Sequence, residues 1–292
     1  MDFEIHMTYS EEQEMFRREV ITWLEAKVPK TEEERSRVLG PSPSGGAEGE
    51  RGNTPWTRLL GGKGWYAPTV SKEMGGGGLT SEHAVVLNEE LSKRDLPAGG
   101  AGSNVPAIMI HGTEEQKQQF VVPYYRGELR IWTCLTEPEA GSDLASLKTR
   151  AIRDGDEWVL NGSKQFISGA GKPDYLYVLA NTSPNAPRHE NLSLFLVPGE
   201  SSGLTIQRMD LIGMQEFGGG QHFVYFDNVR VPALNLIGQE GKGWTIVNTK
   251  LELEHGGSGS VGGSAESGRG GSLLRLIEYL KTGIDPESEP SD

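Results

Sequence analysis

The stretch Thr133-Cys134-Leu135-Thr136-Glu137-Pro138-Glu139-Ala140-Gly141-Ser142-Asp143 lies near the middle of this 292-residue sequence and decides how the rest is interpreted. Pro138 fixes one backbone dihedral, and Gly141 lets the main chain come close to a ligand. The hydroxyls of Thr136 and Ser142, together with nearby amides, can donate hydrogen bonds. The segment fits either an ordinary polar loop or an acceptor for the polar edge of a cofactor, and its residues alone leave both open.

Composition limits the classes of protein that fit. The chain is 35% hydrophobic and 24% charged, which is typical of a globular fold with room for two medium domains. Its net charge of −13 disfavours nucleic acid as a partner, and no apolar run approaches the ~20 residues that cross a membrane. The acidic start is unlike a signal peptide, and the single cysteine, Cys134, excludes an internal disulfide and offers no cysteine cluster for zinc. We therefore expect a cytoplasmic protein.

The first third of the chain has the periodicity of helices joined by glycine-rich and proline-rich loops. Ser10 and Gln13 form a capping-box pattern, and Thr113 and Gln116 form a second one. A further helix is predicted to begin near Ser81, and residues 40–55 are predicted to form a surface loop. The run Gly75–Gly78 lacks the Lys-Ser or Lys-Thr pair of a phosphate-binding loop, so we interpret it as a tightly packed loop.

The middle third changes to the period of β-strands. Asp154-Gly155 separates two β-rich runs, which indicates a hairpin, and Asn161-Gly162 is predicted to form a second turn. Further runs extend to Phe226 with turn residues between most of them. The pattern predicts an antiparallel barrel or a pair of packed sheets, and the absence of strand–helix alternation argues against a Rossmann domain.

The predicted fold class is therefore α+β. A helical domain over residues 1–130 precedes a β domain over residues 131–235, and residues 236–292 form a partial helical segment. In that last part a helical pattern from Gly243 to Glu254 is followed by a glycine-dense linker and one short amphipathic stretch, which is too little for a helical bundle.

Several motifs of the sequence resemble those of the acyl-CoA dehydrogenase family. The Thr-Glu-Pro stretch resembles its first flavin-contact motif, and Asn161-Gly162-Ser163-Lys164-Gln165-Phe166-Ile167-Ser168 resembles its second. His111–Lys117 and Phe226–Pro232 are similar to two other stretches of the family, and the resemblance covers roughly residues 8–270. It implies the family's order of a helical domain followed by a β domain, with most of the third, helical domain missing.

The resemblance implies FAD as the cofactor. Leu135 and Thr136 would line the pyrimidine side of the flavin, and Ser168 would add a hydrogen-bond donor. The full set of implied FAD contacts is Thr133, Leu135, Thr136, Gly141, Ser142, Phe166, Ile167 and Ser168. The implied substrate contacts are Ser142, Gln221 and His222, although His222 also fits a plain strand position.

The resemblance also implies a reaction and a candidate base. The family removes a proton from the α-carbon of an acyl-CoA and transfers a hydride from the β-carbon to flavin N5. Leu251-Glu252-Leu253-Glu254-His255 matches the pattern that carries the base in a minority of members, with His255 in place of arginine. Glu254 is therefore a candidate catalytic base, and the alternative is an ordinary charge on a helix surface.

Three interpretations of function follow. The first is a FAD-dependent acyl-CoA dehydrogenase with electron-transfer flavoprotein as its electron acceptor. The second is a non-catalytic or truncated homologue that serves as a subunit of a larger assembly. The third is a related flavin oxidase or monooxygenase. Because a missing third domain would leave apolar surface exposed, we also expect a homo-oligomer or a hetero-oligomer with a longer homologous chain.

Overall fold

The structure is a computed structural model that describes residues 8–39, 53–99, 104–169, 171–211 and 220–255, with only the main chain described for residues 254 and 255. Most of the surface loop predicted for residues 40–55 lies outside these ranges. So do the glycine-dense stretch and the short amphipathic stretch predicted after residue 255.

The N-terminal part is helical, as the sequence predicts. Its helices are α1 (Glu11–Lys27), α2 (Glu32–Leu39), α3 (Pro55–Gly62), α4 (Ser81–Ser92), α5 (Asn104–His111), α6 (Glu114–Gln116) and α7 (Val122–Tyr125), with a π-helical turn at Lys117–Val121. Both predicted capping boxes are present: Ser10 with Gln13 begins α1, and Thr113 with Gln116 begins α6. The predicted helix start near Ser81 is also confirmed.

Close approaches of the main chain explain the run of glycines before α4. An added Cβ on Gly76 would lie 2.3 Å from the Val70 carbonyl oxygen, and one on Gly64 would lie 2.6 Å from the Gly77 Cα. Such distances exclude any larger side chain without movement of the backbone. The run is therefore a tightly packed loop, as predicted.

The second part of the chain is one mixed β-sheet. Its strands are β1 (Ile131–Cys134), β2 (Arg150–Asp154), β3 (Glu157–Gly169), β4 (Tyr175–Asn181), β5 (Leu192–Pro198), β6 (Leu204–Met209), β7 (Gly220–Pro232) and β8 (Leu236–Ile237). The strand order is β6-β7-β3-β2-β4-β5-β8, and β1 pairs with β4. The helix α8 (Gly243–His255) follows the sheet.

The structure corrects two details of the predicted sheet. The pairing is not wholly antiparallel, because β1 runs parallel to β4 and β2 meets β4 in a parallel pair. The predicted turn at Asn161-Gly162 is also wrong. Strand β3 continues through these residues with a register shift, and Gly162 adopts φ +150° at a position where an added Cβ would lie 2.5 Å from Thr149 Oγ1. The hairpin at Asp154-Gly155 is confirmed.

A shared hydrophobic core joins the helices to the sheet. Val105 and Ile108 of α5 pack in one cluster with Tyr177 of β4, Leu194 of β5 and Ile246 of α8. A second cluster fills the opposite side of the sheet, and a third holds α1 and α4 against α3. Since β1 contributes to both the first and the second cluster, the Thr-Glu-Pro segment begins where the helical and β parts meet.

Candidate functional site

Two segments that are distant in the sequence meet directly beyond the end of β1. The Gln165 amide donates a 2.9 Å hydrogen bond to the Thr136 carbonyl oxygen. The side-chain amide of the same residue, Nε2, donates to the Glu137 carbonyl oxygen at 3.2 Å. The structure therefore brings together the two predicted flavin-contact motifs.

A buried ion pair reinforces this junction. Lys164 is fully buried, and its Nζ lies 2.7 Å from Glu137 Oε1 and within 3.1 Å of the carbonyl oxygens of Leu135 and Leu179. The Glu137 carboxylate also accepts from the amides of Lys148 and Thr149. Every one of these contacts is a hydrogen bond that compensates for the removal of both charges from water.

The surroundings shift the pKa of both members of the pair. Burial alone would raise the pKa of Glu137, but the Lys164 ammonium and the hydrogen-bond donors outweigh burial and hold that pKa below its ordinary value. Burial lowers the pKa of Lys164, and the neighbouring Glu137 carboxylate opposes that change. Lys164 Nζ faces three oxygen acceptors, which uses all three donors of an ammonium, so the hydrogen-bond geometry favours the charged form of the pair.

Phe166 occupies an unusual position next to this pair. Its φ is +56°, in the left-handed region that a phenylalanine rarely adopts, and the register of β3 against β7 shifts between Lys164 and Ile167. The ring is 48% exposed instead of packed in the core. A strained backbone that presents an exposed aromatic ring is typical of a ligand-binding position.

The bulge places the next two side chains on opposite faces of β3. Ser168 is exposed and pairs with Gln221 of β7, which in turn pairs with Met209 of β6. The Ile167 side chain is buried in the sheet core, so any contact of this residue with a ligand would come from its main chain. Ser168 and Gln221 are thus neighbours at one edge of the candidate site.

His222 lies on the core side of its strand. Its Nδ1 donates to the Ile167 carbonyl oxygen at 3.1 Å, and its ring lies 4.7 Å from the indole of Trp132. An added Cβ on Gly169 would lie 2.1 Å from that indole, which explains why glycine follows Ser168. The Trp132 Nε1 donor is buried and has no acceptor among the described residues.

The remaining predicted contacts differ in how accessible they are. The Thr133 hydroxyl donates to Asn104 Oδ1 at 2.7 Å, which links β1 to α5. Leu135 and Thr136 are half-buried, whereas Gly141 and Ser142 are exposed. An added Cβ on Gly141 would meet nothing within 4 Å, so the space beside it is open.

The loop between β4 and β5 connects this region to α8. Arg188 forms an ion pair with Asp143, the residue after Ser142. His189 stacks on Trp244 of α8 with ring centroids 4.3 Å apart and planes 12° apart. The predicted base, Glu254, belongs to α8, but its side chain lies outside the described part of the chain.

The prediction from sequence missed the importance of Glu137 and Lys164. Both residues belong to the quoted motifs, yet neither was given a role, because a charged residue in a polar loop is usually exposed. The sequence did contain a signal for an ion pair. Glu137 and Lys164 carry opposite charges, and they belong to two segments that the resemblance already placed at one site. No group of three metal-binding side chains occurs among the described residues.

The residues of the site fit a flavin. A flavin needs an apolar contact for its ring and hydrogen-bond donors along its polar edge. Here the exposed Phe166 and Ser168 follow the buried Lys164 in the sequence, and Thr136 is joined to the same segment through Gln165. The open space at Gly141 agrees with this chemistry.

Family models match both parts of the chain. The model described as acyl-CoA dehydrogenase, N-terminal domain, matches residues 10–128, and that of the middle domain matches residues 133–229. The first matched region ends after α7, and the second begins within β1. No helix among the described residues is long and apolar enough to cross a membrane.

Individual relatives give the same result. The acyl-CoA dehydrogenase FadE26 of Mycobacterium tuberculosis is 31% identical over 256 residues, which cover 86% of this chain and 62% of the relative. A solved variant of the Tcur3481-Tcur3483 steroid ACAD is 32% identical, with a TM-score of 0.70 over 93% of this chain and 67% of that one. The ChsE4-ChsE5 complex from Mycobacterium tuberculosis is 27% identical, with a TM-score of 0.70 over 97% and 69%.

The matches differ in length from this chain. It spans 47%, 62% and 63% of the length of three curated acyl-CoA dehydrogenases of Mycobacterium tuberculosis.

Proposed function

The chain belongs to the acyl-CoA dehydrogenase family, and on that premise we propose that it binds FAD and supports the α,β-dehydrogenation of an acyl-CoA thioester. One observation carries the proposal. The Thr136 segment and the Lys164–Ser168 segment are joined by direct hydrogen bonds, with Phe166 and Ser168 exposed beside the junction. Both segments lie within the region that matches the family's middle domain.

Each exposed group at the junction has a chemical role in this proposal. When bound, FAD supplies the acceptor for the hydride that leaves the β-carbon of the thioester. The hydroxyls of Thr136 and Ser168 donate hydrogen bonds to the polar edge of the ring and favour negative charge there. The Phe166 ring supplies an apolar contact, and the backbone at Gly141 permits close approach of the cofactor or of the thioester arm.

The proton must be removed by a carboxylate, and Glu254 on α8 is the proposed base. Helix α8 packs against α5 and β5, so its main chain is anchored to the same core as β1. A carboxylate covered by a bound ligand would have a raised pKa, which suits a general base. In this proposal Ser142 and Gln221 contact the CoA arm, whereas His222, which packs against Trp132 on the core side of its strand, does not.

A titration of the purified apo-protein with FAD tests the first step. Binding should quench flavin fluorescence. Thr136→Val and Ser168→Ala should each weaken the affinity for FAD by up to about tenfold, which is the effect of losing one hydrogen bond. Thr205→Val and Ser92→Ala remove exposed hydroxyls from β6 and α4 and serve as matched controls. If excess FAD changes neither fluorescence nor absorbance, the flavin function is wrong.

Anaerobic addition of acyl-CoA thioesters to the loaded protein tests the second step. The relatives include a steroid ACAD and an isobutyryl-CoA dehydrogenase of Dictyostelium discoideum, so we propose a panel from isobutyryl-CoA to steroid-derived acyl-CoA. Bleaching of the flavin by one thioester, followed by slow reoxidation in air and fast reoxidation by an electron-transfer flavoprotein, supports a dehydrogenase that passes electrons to that acceptor. Bleaching followed by rapid reoxidation in air favours an oxidase or monooxygenase instead.

The second candidate function is that of a subunit in a larger assembly. Two solved relatives are named as pairs of chains, Tcur3481-Tcur3483 and ChsE4-ChsE5. We propose that this chain likewise works as an oligomer, with itself or with a longer homologous chain. Light scattering tests this, because a monomer at high concentration that also reduces flavin with acyl-CoA would contradict it.

A further inference from the structure

We propose that Glu137 and Lys164 are positioning residues of the flavin site, which hold Leu135 and Thr136 in place and balance the charge behind them. The inference rests on the proposed function, since it assigns a role toward a bound flavin. It concerns two residues whose side chains are inside the protein and which touch neither solvent nor the exposed face of the site.

The first step of the argument is geometric. Three consecutive carbonyl oxygens, those of residues 135, 136 and 137, each accept a hydrogen bond from residue 164 or 165. Lys164 Nζ holds the first at 3.1 Å, the Gln165 amide holds the second at 2.9 Å, and Gln165 Nε2 holds the third at 3.2 Å. The peptide planes on either side of Thr136 are therefore fixed, and with them the direction of its donors.

The second step is the closure of the bond network around the pair. Lys164 Nζ also donates to the Leu179 carbonyl oxygen of β4 at 2.8 Å, and the Glu137 carboxylate accepts from the Thr149 amide at 3.1 Å. Four segments of the chain thus converge on two side chains. A ligand that contacts Thr136 would meet a rigid edge, which a preorganised electrostatic site requires.

The third step concerns charge. A buried ion pair adds little to stability compared with apolar side chains of the same volume, so stability alone is a weak reason for its presence here. In contrast, each charge behind a flavin edge affects the affinity for reduced flavin, because the reduced ring carries negative charge. The cation favours the reduced form, and the anion disfavours it. The pair as a whole is neutral. Removing Glu137 leaves a positive charge behind the flavin edge, and removing Lys164 leaves a negative one.

This difference of sign provides the test. In the full-length protein loaded with FAD, each variant is compared with the parent at the pH that keeps the remaining group charged, acidic for Glu137→Gln and alkaline for Lys164→Met. Glu137→Gln then leaves an unpaired ammonium and should raise the two-electron potential of the flavin. Lys164→Met leaves an unpaired carboxylate and should lower it. We expect a change of about tenfold in the ratio of reduced to oxidised flavin affinity in each case, about 30 mV in opposite directions. The double variant should return toward the parent.

A matched control lies on β3, the strand that carries Lys164. Glu157 of β3 forms an exposed ion pair with Arg230 of β7 at 2.8 Å, so Glu157→Gln removes one charge from the same strand and should leave the potential unchanged. If Glu137→Gln and Lys164→Met shift the potential in the same direction, or not at all, the pair is only structural and the inference is wrong. If the parent binds no FAD, the proposed function is wrong, and so is the inference that rests on it.

A measurement on the unsubstituted protein covers the case in which the variants do not fold. Lys164 Nζ is fully buried and donates to three oxygens, so its protons should exchange slowly enough for a ¹⁵N-lysine signal to be observed. Lys164→Arg identifies that signal by its loss. Addition of FAD should shift the signal, and an unchanged signal at saturating FAD would overturn the inference.

Discussion

At the scale of single residues, Phe166 shows how local strain and exposure occur together. Its left-handed backbone costs about 1–2 kcal/mol, and its exposed ring contributes little burial in return. We therefore expect Phe166→Gly to be more stable than Phe166→Ala by about 1 kcal/mol, because only glycine relieves the strain. Both variants should bind FAD more weakly than the parent.

Urea unfolding and FAD titration of the two variants measure these effects separately. A ring that serves only as filler on the surface would leave FAD binding unchanged in both. Equal stability of the glycine and alanine variants would show that the left-handed backbone at this position is not strained.

Substitution of two glycines near the site should have different effects, one on FAD binding and the other on stability. Gly141→Ala adds a methyl group in open space, so it should fold normally but weaken FAD binding by about tenfold if the cofactor approaches this backbone. Gly169→Ala drives a methyl group against the Trp132 indole, and should lower the free energy of unfolding by about 1–3 kcal/mol.

Gly62→Ala is the matched control for both, because it lies in α3 with nothing within 4 Å of the added Cβ. Thermal unfolding and flavin titration of the three variants separate packing from binding. Normal FAD binding by Gly141→Ala would remove Gly141 from the proposed contacts.

What the sequence could predict about the site depended on the type of residue. Threonine and serine in motif positions were assigned to the flavin edge, and the structure joins their two segments at Thr136 and Gln165. The buried pair was missed because burial of Lys164 depends on contacts with Glu137, 27 positions away, and with Leu179 on another strand. No local pattern distinguishes such a lysine from a solvated one.

At the scale of elements, helix starts were easier to predict than sheet details. The capping boxes at Ser10 and Thr113 are local, because one side chain bonds to an amide three residues away. The dipeptide Asn161-Gly162 is compatible with a tight turn and with a β-bulge. The pairing of β3 with β7 decides between them, and β7 follows more than fifty residues later. A separation of 44 residues, from Ile131 to Tyr175, likewise hid the parallel pairing of β1 with β4.

The contact between α1 and α4 gives a prediction about pH. Glu90 of α4 is 2% exposed and contacts Arg17 of α1 at 2.7 Å, Lys93 at 2.6 Å and Arg94 at 2.8 Å. Burial alone would raise the pKa of Glu90, but these cations lower it to about 2. Since the unfolded value is about 4.3, the contribution to stability is complete above that pH and is lost as the pH falls toward 2.

Glu90→Gln should therefore lower the free energy of unfolding by about 2–3 kcal/mol at pH 7, and the difference from the parent should shrink as the pH falls toward 2. Urea unfolding at several pH values measures this. Glu25→Gln, which changes an exposed carboxylate of α1, should have little effect at any pH. A difference for Glu90→Gln that does not change with pH would contradict the assigned charge network.

At the scale of the whole molecule, the candidate site depends on contacts between all parts of the chain. Thr133 bonds to Asn104 of α5, the Thr136 segment bonds to β3, and the loop that contacts Asp143 also stacks on Trp244 of α8. A ligand at the junction would therefore stabilise the helical part, the sheet and α8 together. This coupling is why the activity of the chain has to be tested on the intact protein and not on either part.

The base decides whether this chain carries out the whole reaction itself. If Glu254 removes the α-proton, Glu254→Gln should slow flavin reduction by an acyl-CoA about 10²–10⁴-fold while FAD binding stays near normal, because the shape is kept and the basicity is lost. Glu252→Gln, an exposed neighbour on the same helix, is the matched control and should react like the parent. Rapid-mixing absorbance under anaerobic conditions measures the rate. A Glu254→Gln protein as fast as the parent would place the base elsewhere, and adding the candidate partner chain would then show whether a second subunit supplies it.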